Sequence, residues 1–373
     1  MADRKNQHFV PRALLKSWTL GGEGKAINLY NIRASRGIPQ APVKNQCSRD
    51  YFYGKDLQIE TWLGHGEDAF KRVVAMLPST DVSTTATALE LLRDFSYLQA
   101  IRTERSLAEE AAMLRDMHDQ VYHGVLPPKD DPLPTHEEIV REAMSRWVET
   151  STYLHDLKGV LIINESRIPF VTSDNPAIHT NRLHVQRFKS GNFGIQQAGM
   201  ILTMPVSPRL AVLYYDGDVY TAPSRRGLNL VLTKDADAQA FNEFQYLSAS
   251  ENLYFADWGE LAAIKAGFPE VSDRRLKVHY RFNLLVPMSS EKGIFIRAPD
   301  NIVEPEGTSI IHLEAISYQP RSWPSTVRLR TDATAYSNGS GAGYLRKRWA
   351  KEQGLADRHK QRLAGVTSQW QPG

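Results

Sequence analysis

Two polar segments of this chain contain residues that could perform acid–base chemistry. The first, residues 6–12, reads NQHFVPR and places a histidine between amides and an arginine. The second, residues 172–176, reads TSDNP and groups a hydroxyl, a carboxylate and an amide before a proline. A neutral imidazole can act as a general base, and a guanidinium can bind an anion through two parallel N–H donors. The pair suggests one polar site that is assembled from distant parts of the chain.

The residue types suggest individual roles within such a site. His8 is the expected general base, and Asp174 is expected to orient it or to hold a divalent metal such as Mg²⁺. Ser173 and Asn175 are grouped with His8 and Asp174 as candidate catalytic residues. The candidate substrate-binding residues are Gln7, Arg12, Gln99 and Arg102. Whether a metal is needed remains open at this point.

Each segment also has a purely structural interpretation. Asn6 can cap the short helix that follows while His8 bonds a loop carbonyl, and Asx residues before a proline commonly form turns. Arg102 lies on a helix beside apolar positions, where a buried cation needs a carboxylate partner. Glu67 and Asp174 are the candidates for that partner. The catalytic and structural interpretations both stay open.

Familiar catalytic fingerprints are missing from the sequence. It contains no Gly-x-Ser-x-Gly elbow, no His-Glu-x-x-His zinc motif and no phosphate-binding loop that ends in Lys-Ser or Lys-Thr. Its single cysteine, Cys47, excludes an internal disulfide and a thiolate zinc cluster. A small buried residue is a better interpretation of Cys47 than a nucleophile.

Composition places the chain among globular proteins. Of its 373 residues 42% are hydrophobic and 23% are charged, which argues against wholesale disorder. The opening MADRKNQHF lacks the apolar core of a signal peptide, and no apolar run approaches the roughly 20 residues that cross a bilayer. We therefore expect a cytosolic protein without a membrane partner.

Charge is concentrated near the C-terminus. From residue 321 onward ten Lys or Arg less three acids give +7, which leaves −4 for the rest of a chain with a net charge of +3. Such a segment can contact the phosphates of nucleic acid, or it can be a solvated helix. The candidate nucleic-acid-binding residues are Arg346, Lys347, Arg348 and Lys351.

The order of elements predicts an α+β fold. Apolar spacing predicts a helical layer over about 57–157, with an apolar stripe at Leu91, Leu92, Phe95, Leu98 and Ile101, packed on a mostly antiparallel sheet. Thr135 and Glu138 form a predicted capping box, and a hairpin is predicted over 160–172. A flexible linker over 333–343 and a basic helix over about 344–363 are predicted to follow. The expected division is a main domain at 1–320 and a basic tail at 321–373.

Several motifs in this order resemble the uncharacterised family labelled domain of unknown function 4238, which is found mostly in bacteria. They are QHFVPR at 7–12, CSRDYFY at 47–53, Glu60, Glu67, Gln99, Arg102-Thr103, FVTSDNP at 170–176, PVSP at 205–208 and Asn242. The likeness covers about residues 6–255. It implies that Gln7, His8, Arg102, Asp174 and Asn175 act as one cluster, and it brings no settled activity.

Two function classes are compatible with these residues. The first is a hydrolase, of nuclease-like type, that acts on a phosphate-containing substrate such as nucleic acid. The second is a non-enzymatic module that binds nucleic acid or protein, in which the polar cluster is a structural network. Convergence of His8, Arg102 and Asp174 in one pocket would favour chemistry, and the sequence is silent on the oligomeric state.

Overall fold

The computed structural model describes residues 5–77, 85–122, 130–188, 194–224, 227–287, 295–297, 310–337, 343–355 and 360–363. The α-helices are α1 Arg12–Leu15, α2 Gln58–Met76, α3 Ala86–Ile101, α4 Glu104–Tyr122, α5 His136–Thr150, α6 Asp235–Ser248, α7 Leu261–Gly267, α8 Pro269–Ser272 and α9 Lys347–Glu352. The first nine strands are β1 Asn6–His8, β2 Ala26–Asn31, β3 Arg36–Pro42, β4 Ser48–Asp50, β5 Lys158–Asn164, β6 Thr172–Ser173, β7 Ile178–Thr180, β8 Ile201–Ser207 and β9 Leu210–Tyr215. The remaining strands are β10 Tyr220–Thr221, β11 Asn229–Leu232, β12 Asn252–Phe255, β13 Tyr280–Pro287, β14 Phe295–Arg297, β15 Ile310–Ala315, β16 Arg328–Leu329, β17 Thr334–Tyr336 and β18 Lys360–Arg362.

Helices α2 to α5 form the predicted helical layer. Helix α3 begins at a Thr85 cap, whose hydroxyl accepts from the backbone nitrogen of Ala88, and α5 begins at the predicted Thr135–Glu138 capping box. The apolar stripe of α3 faces the core except at Leu91, which is 45% exposed. The sequence pattern is therefore correct for the layer as a whole and wrong for that one residue.

A five-stranded sheet lies beneath this layer, in the order β11-β5-β9-β8-β7. All of its pairs are antiparallel except β11 with β5. Along β5 the side chains alternate: Leu161 and Ile163 pack in the core under the helices, and Val160 and Ile162 pack on the opposite face. Helix α6 covers that second face. The α+β class and the mostly antiparallel sheet are confirmed.

A second sheet has the order β3-β2-β12-β6 and is entirely antiparallel. It places the short strand β6 at an edge, where Thr172 and Ser173 pair with Tyr254 and Leu253. Strand β1 forms a separate two-stranded sheet with β4, in which His8 lies opposite Ser48. The two polar segments thus belong to different sheets, and the C-terminal end of α3 contacts both, through Gln99 to the Phe9 carbonyl and through Thr103 to Asn175.

The predicted hairpin over 160–172 is wrong. Strand β5 is a central strand, with β9 along one edge and β11 along the other. Both edges of the backbone are therefore already hydrogen-bonded, so the following segment pairs elsewhere, through β6 and β12. Periodicity locates strands but does not specify their partners.

The C-terminal segment also differs from its predicted form. The linker prediction fails at its start, because Ala333 and Ala335 are buried and β17 pairs with β18. Residues 338–342 of the predicted linker lie outside the described part. Helix α9 is shorter than predicted; it ends before Gly354, whose φ of +68° suits a glycine after a helix terminus.

The described parts of residues 321–363 contribute to the main core. Val327, Ala333, Ala335 and Leu363 belong to the apolar cluster on the α6 side of the five-stranded sheet. A domain boundary at residue 320 remains a prediction. Among the described helices, none combines the length and the apolar character that a transmembrane span requires.

Candidate functional site

Gln7 is the middle residue of β1, and its side chain is completely buried. Its amide nitrogen donates to the carbonyl of Gly54 at 3.1 Å. Its carbonyl oxygen accepts from the backbone nitrogen of Tyr53 at 2.6 Å. Both ends of the side chain therefore hold the turn after β4 against the first strand. These two bonds give Gln7 a positioning role, and its contact with substrate stays a prediction.

The adjacent His8 is half-buried, and its Nε2 atom has no hydrogen-bond partner among the described residues. Burial, followed by the nearby charge of Arg12, lowers the pKa of the ring to about 4, although the carbonyl of Val43 acts in the opposite direction. The ring is therefore neutral at physiological pH. Because the Val43 carbonyl accepts from the ring and Nε2 has no partner, we assign the proton to Nδ1 and the lone pair to Nε2.

Gln99 and Arg102 lie at the C-terminal end of α3 with their side chains fully buried. Gln99 donates from Nε2 to the carbonyl of Phe9 (2.7 Å) and accepts at Oε1 from Arg102 Nε (3.1 Å). Arg102 Nη2 donates to Glu67 Oε1 at 3.1 Å. The prediction of a carboxylate partner is confirmed, and the partner is Glu67 rather than Asp174. The remaining nitrogen, Nη1, has no hydrogen-bond partner among the described residues.

Arg12 is the first residue of α1 and is exposed. It forms no ion pair with a described residue. The charges of Arg12 and Arg102 both lower the pKa of His8, so both guanidinium groups lie within electrostatic range of the ring. We call these three side chains the His8 centre. It combines a neutral ring with a free lone pair, a buried N–H donor and an exposed cation.

Asp174 is buried immediately after β6, and both of its carboxylate oxygens accept backbone hydrogen bonds. Oδ1 accepts from Ser250 (2.7 Å), and Oδ2 accepts from Glu251 (2.7 Å) and Asn252 (2.9 Å). Burial raises the pKa of Asp174, while these three N–H groups oppose the increase. The carboxylate thus fixes the turn between α6 and β12.

Ser173 and Asn175 belong to the same closed network. The hydroxyl of Ser173 donates to Gln245 Oε1 at 2.8 Å, and its oxygen accepts from the backbone nitrogen of Asn175 at 3.2 Å. Asn175 accepts from the hydroxyl of Thr103 at 2.8 Å and donates to the carbonyl of Ser248 at 3.3 Å. Asp174, Ser173 and Asn175 form what we call the Asp174 cluster.

The two groups are neighbours but are not one pocket. Thr103 directly follows Arg102 and bonds Asn175, so the end of α3 joins the His8 centre to the Asp174 cluster. Among the described residues, however, no hydrogen bond or ion pair joins Asp174 to His8. The expectation that Asp174 orients the histidine therefore finds no support in the contacts of either residue.

A polar cavity of about 190 Å³ opens beside Asp174. Its lining includes Cys47, Glu104, Arg105 and Tyr254. The Cys47 thiol lies 3.2 Å from the Tyr254 hydroxyl, and burial raises its pKa well above the ordinary value, which opposes a thiolate nucleophile. Sequence reasoning missed the last three of these residues. Glu104 and Arg105 had one signal, their position directly after the Arg102-Thr103 motif, and Tyr254 had none.

Within the described ranges, no group of three His, Cys, Asp or Glu side chains is arranged to hold a metal ion. The oxygens of Asp174 already accept from backbone nitrogens. The contacts of Asp174 therefore give no support to the divalent-metal role that its residue type suggested.

The four basic residues of the tail fall into two kinds. Arg346 is buried, and its Nε and Nη2 donate to the two oxygens of Asp156 at 2.8 and 2.9 Å. Lys347 and Lys351 are exposed, and Arg348 donates to Glu352 at 3.2 Å. Arg346 is thus an internal anchor, and only the other three could reach a phosphate backbone.

Comparison with known proteins adds a family but no activity. Neither the curated proteins nor the solved structures gave a match. The model of a family described as "Protein of unknown function (DUF4238)" matches residues 6–258. This range is more than half of the chain, and it contains the His8 centre and the Asp174 cluster but not the basic tail. The protein belongs to the DUF4238 family.

Proposed function

We propose that the protein is a hydrolase that acts on a phosphate-containing substrate, such as nucleic acid, at the His8 centre. The observation that supports this proposal is that His8 Nε2 and Arg102 Nη1 are both buried and both lack a partner among the described residues. Buried polar atoms are nearly always hydrogen-bonded. Here two buried atoms lack such a bond, and their side chains lie within electrostatic range of each other. This favours a group of a bound ligand as their partner.

The groups of the His8 centre suit the hydrolysis of a phosphate ester. The exposed Arg12 would bind the phosphate first, and the free N–H of Arg102 would bind a phosphate oxygen deeper in the site. His8 Nε2 would accept a proton from water as the water oxygen attacks phosphorus. The bond from phosphorus to the ester oxygen then breaks, and the imidazolium returns the proton to that oxygen.

Other residues would position this machinery. Glu67 holds Arg102 through one oxygen, and Gln99 fixes both Arg102 and the carbonyl of Phe9, the residue after His8. Glu67 occupies Nη2 of Arg102 and leaves Nη1 for a phosphate oxygen, although its negative charge would oppose the approach of an anion. The Asp174 cluster would act only indirectly, because Asn175 anchors the hydroxyl of Thr103 and so fixes the backbone that follows Arg102.

Purified His8→Ala and Arg102→Lys proteins test the proposal against bis(p-nitrophenyl) phosphate, p-nitrophenyl phosphate, nucleotides, DNA and RNA. Loss of a general base reduces kcat by about 10²–10⁴-fold, so His8→Ala should lose at least about 100-fold on any substrate that the natural protein cleaves. His155→Ala, which changes another partly exposed histidine, is the matched control and should keep full activity. Thermal melts of each variant separate lost chemistry from lost folding.

Two outcomes contradict the hydrolase. One is the absence of cleavage of every substrate by the natural protein, and the other is equal cleavage by the natural and His8→Ala proteins. A large drop in melting temperature of His8→Ala without any activity to lose would instead favour a structural network.

A second function, nucleic-acid binding by the tail, is favoured by one feature of the surface. Lys347, Lys351 and Lys158 line a concave surface of about 480 Å³, and none of the three forms an ion pair with a described residue. Four acidic residues also line it, so the surface is of mixed charge: Asp156, Asp216, Asp218 and Glu352. Salt-sensitive binding of DNA or RNA that disappears when Lys347 and Lys351 become glutamine would support this role.

We also propose that the protein works in the cytosol. Its one cysteine, Cys47, is free and buried. Chains of oxidising compartments commonly carry paired cysteines, and this chain cannot form an internal pair. Fractionation of cells that express the natural protein tests the compartment directly.

A further inference from the structure

A cavity of about 350 Å³ lies between helices α2, α3 and α5, and it includes no residue of the His8 centre. Its walls are mainly aromatic and aliphatic: Trp62, Leu63, Phe70, Phe95, Leu98 and Trp147. We call it the tryptophan cavity. Its volume falls within the range of small-molecule sites, which are typically concave, mostly apolar and supplied with a few polar groups.

The outer part of this cavity leaves large apolar side chains in water. Trp62 is 41% exposed and Leu91 is 45% exposed. Trp62 meets Trp147 edge to face, with ring centroids 5.4 Å apart. The two indoles hold each other in place, and the exposed surface of Trp62 is left for a ring that enters between the helices. Leu91 belongs to the apolar stripe of α3 and yet is exposed, because it lines this open cavity.

Helix α2 contains two glycines, and one of them lines the cavity. A Cβ atom on Gly64 or on Gly66 would meet nothing within 4 Å, so packing requires neither glycine. Glycine in the middle of a helix is unfavourable relative to alanine. Gly66 is part of the cavity wall and Gly64 is not. A side chain at position 66 would occupy the space in which a ligand would lie.

One carboxylate lines the cavity, and it is ion-paired with an arginine outside the lining. Asp94 lines it, and neither Lys nor Arg is found among its described lining residues. Arg93 Nε donates to Oδ1 of Asp94 at 3.0 Å in this ion pair, and Oδ2 accepts no hydrogen bond from a described residue. The backbone carbonyl of Asp94 accepts from Trp147 Nε1 at 3.1 Å and so fixes the indole beside it. Aromatic faces and a carboxylate together suit a cation.

We propose that the tryptophan cavity binds an aromatic amine, with its ring packed against the Trp62–Trp147 pair and its ammonium group at Asp94. This inference does not rest on the hydrolase proposal, because the two sites share no residue. An anion of the same shape should be rejected, since it would meet the Asp94 carboxylate and find no basic side chain in the described lining.

Calorimetric titration of the full-length protein with tryptamine tests the cavity, and indole-3-acetate is the ligand control. The two probes share an indole ring and differ in the sign of their charge. We expect saturable binding of tryptamine and at least tenfold weaker binding of indole-3-acetate. Asp94→Asn should weaken tryptamine binding several-fold and reduce the difference between the probes.

The two glycines supply a matched pair of variants. Gly64→Ala and Gly66→Ala should raise the melting temperature by similar amounts, because both remove a helix-interior glycine without a clash. Only Gly66→Ala should weaken tryptamine binding, by at least fivefold. The pair therefore reports on the cavity without the risk of unfolding.

Three results would overturn the proposal. The first is no saturable binding of tryptamine by the natural protein, and the second is equal affinity in the Gly64→Ala and Gly66→Ala proteins. The third is sedimentation as a dimer that Trp62→Ala converts to a monomer, which would show that a second copy of the chain covers this face.

Discussion

The His8 centre and the Asp174 cluster look alike in sequence and differ in how the protein satisfies them. In the Asp174 cluster, both carboxylate oxygens accept backbone hydrogen bonds, and the flanking Ser173 and Asn175 are bonded as well. In the His8 centre, one nitrogen of His8 and one of Arg102 have no partner among the described residues. The first arrangement is complete, and the second still has atoms that can bind something.

This difference teaches that a polar motif at the end of a strand is not by itself a site. Asp174 is occupied by the turn at 250–252, a segment that is distant in sequence and has no unusual composition. Hydrogen bonds to a charged group contribute about 1.5–3 kcal/mol each when measured by mutation. The carboxylate can therefore be accounted for by stability alone. No such account exists for Nε2 of His8.

Asp174→Ala should produce the largest effect that separates the two regions. Removing the carboxylate leaves the three N–H groups of residues 250–252 without their acceptor, and partial hydration of this turn limits the loss. We expect the free energy of unfolding to fall by about 3–5 kcal/mol. Denaturant titration measures this change, and activity per folded molecule should stay within a few-fold of the natural value.

Asp257→Ala is the control, because Asp257 also accepts a backbone hydrogen bond, from Gly259 at 2.7 Å, but is exposed. It should lose only about 1 kcal/mol. Equal losses in the two variants would contradict the distinction between a buried closed network and an ordinary cap. Loss of activity in a stably folded Asp174→Ala protein would return Asp174 to the catalytic group.

Much of the fold could be predicted because it depends on local patterns. The capping box at Thr135 and the helical layer, with the apolar stripe of α3 apart from Leu91, are encoded within a few residues and are confirmed. The partner of β5 could not be predicted, because strands 50 residues apart compete for the same edges. Leu91 could not be predicted either, since its exposure depends on Trp62 and Trp147 of two other helices.

The candidate site was predictable in its members and not in its roles. Arg102 signalled its need for a carboxylate because an arginine beside an apolar stripe must be neutralised, and Glu67 fulfils that need. No such signal showed that Asp174 and Arg346 are already hydrogen-bonded inside the protein. Asp174 accepts from backbone nitrogens and Arg346 pairs with Asp156, and only the tertiary fold brings these partners near. Composition shows where charge is located but not whether it is already paired.

The pH dependence of stability should show an intermediate effect at His8. The folded-state pKa is about 4 against an ordinary value of 6.5. Below pH 6.5 the unfolded chain binds a proton that the folded protein resists, so stability should fall as the pH decreases from 6.5 toward 4. The loss from this one group should reach at most about 3 kcal/mol near pH 4.

His8→Gln isolates this contribution, because the difference between the two proteins cancels groups that both contain. One such group is Asp216, whose pKa is raised to about 6 by burial. It has the opposite sign, since its contribution to stability is present at low pH and is lost as the pH rises through 6. Parallel stability curves for the natural and His8→Gln proteins between pH 7 and pH 4.5 would show that His8 is not held neutral.

The smallest effect on stability should come from the exposed part of the tail. There too, some charged side chains are paired inside the protein and others are not. Replacing Lys347 and Lys351 together by glutamine removes two exposed charges and should change the free energy of unfolding by less than about 0.5 kcal/mol. If the tail binds nucleic acid, this variant should reduce the slope of log affinity against log salt by about 2, because each phosphate contact adds roughly 0.9 to that slope for duplex DNA.

Arg346→Gln should behave in the opposite way, because Arg346 is paired with Asp156 inside the protein. It should destabilise the fold and leave the salt slope of the folded fraction unchanged. An unaltered slope in the double lysine variant would remove Lys347 and Lys351 from nucleic-acid binding, and phosphate recognition by the folded protein would then have to be sought at the His8 centre first.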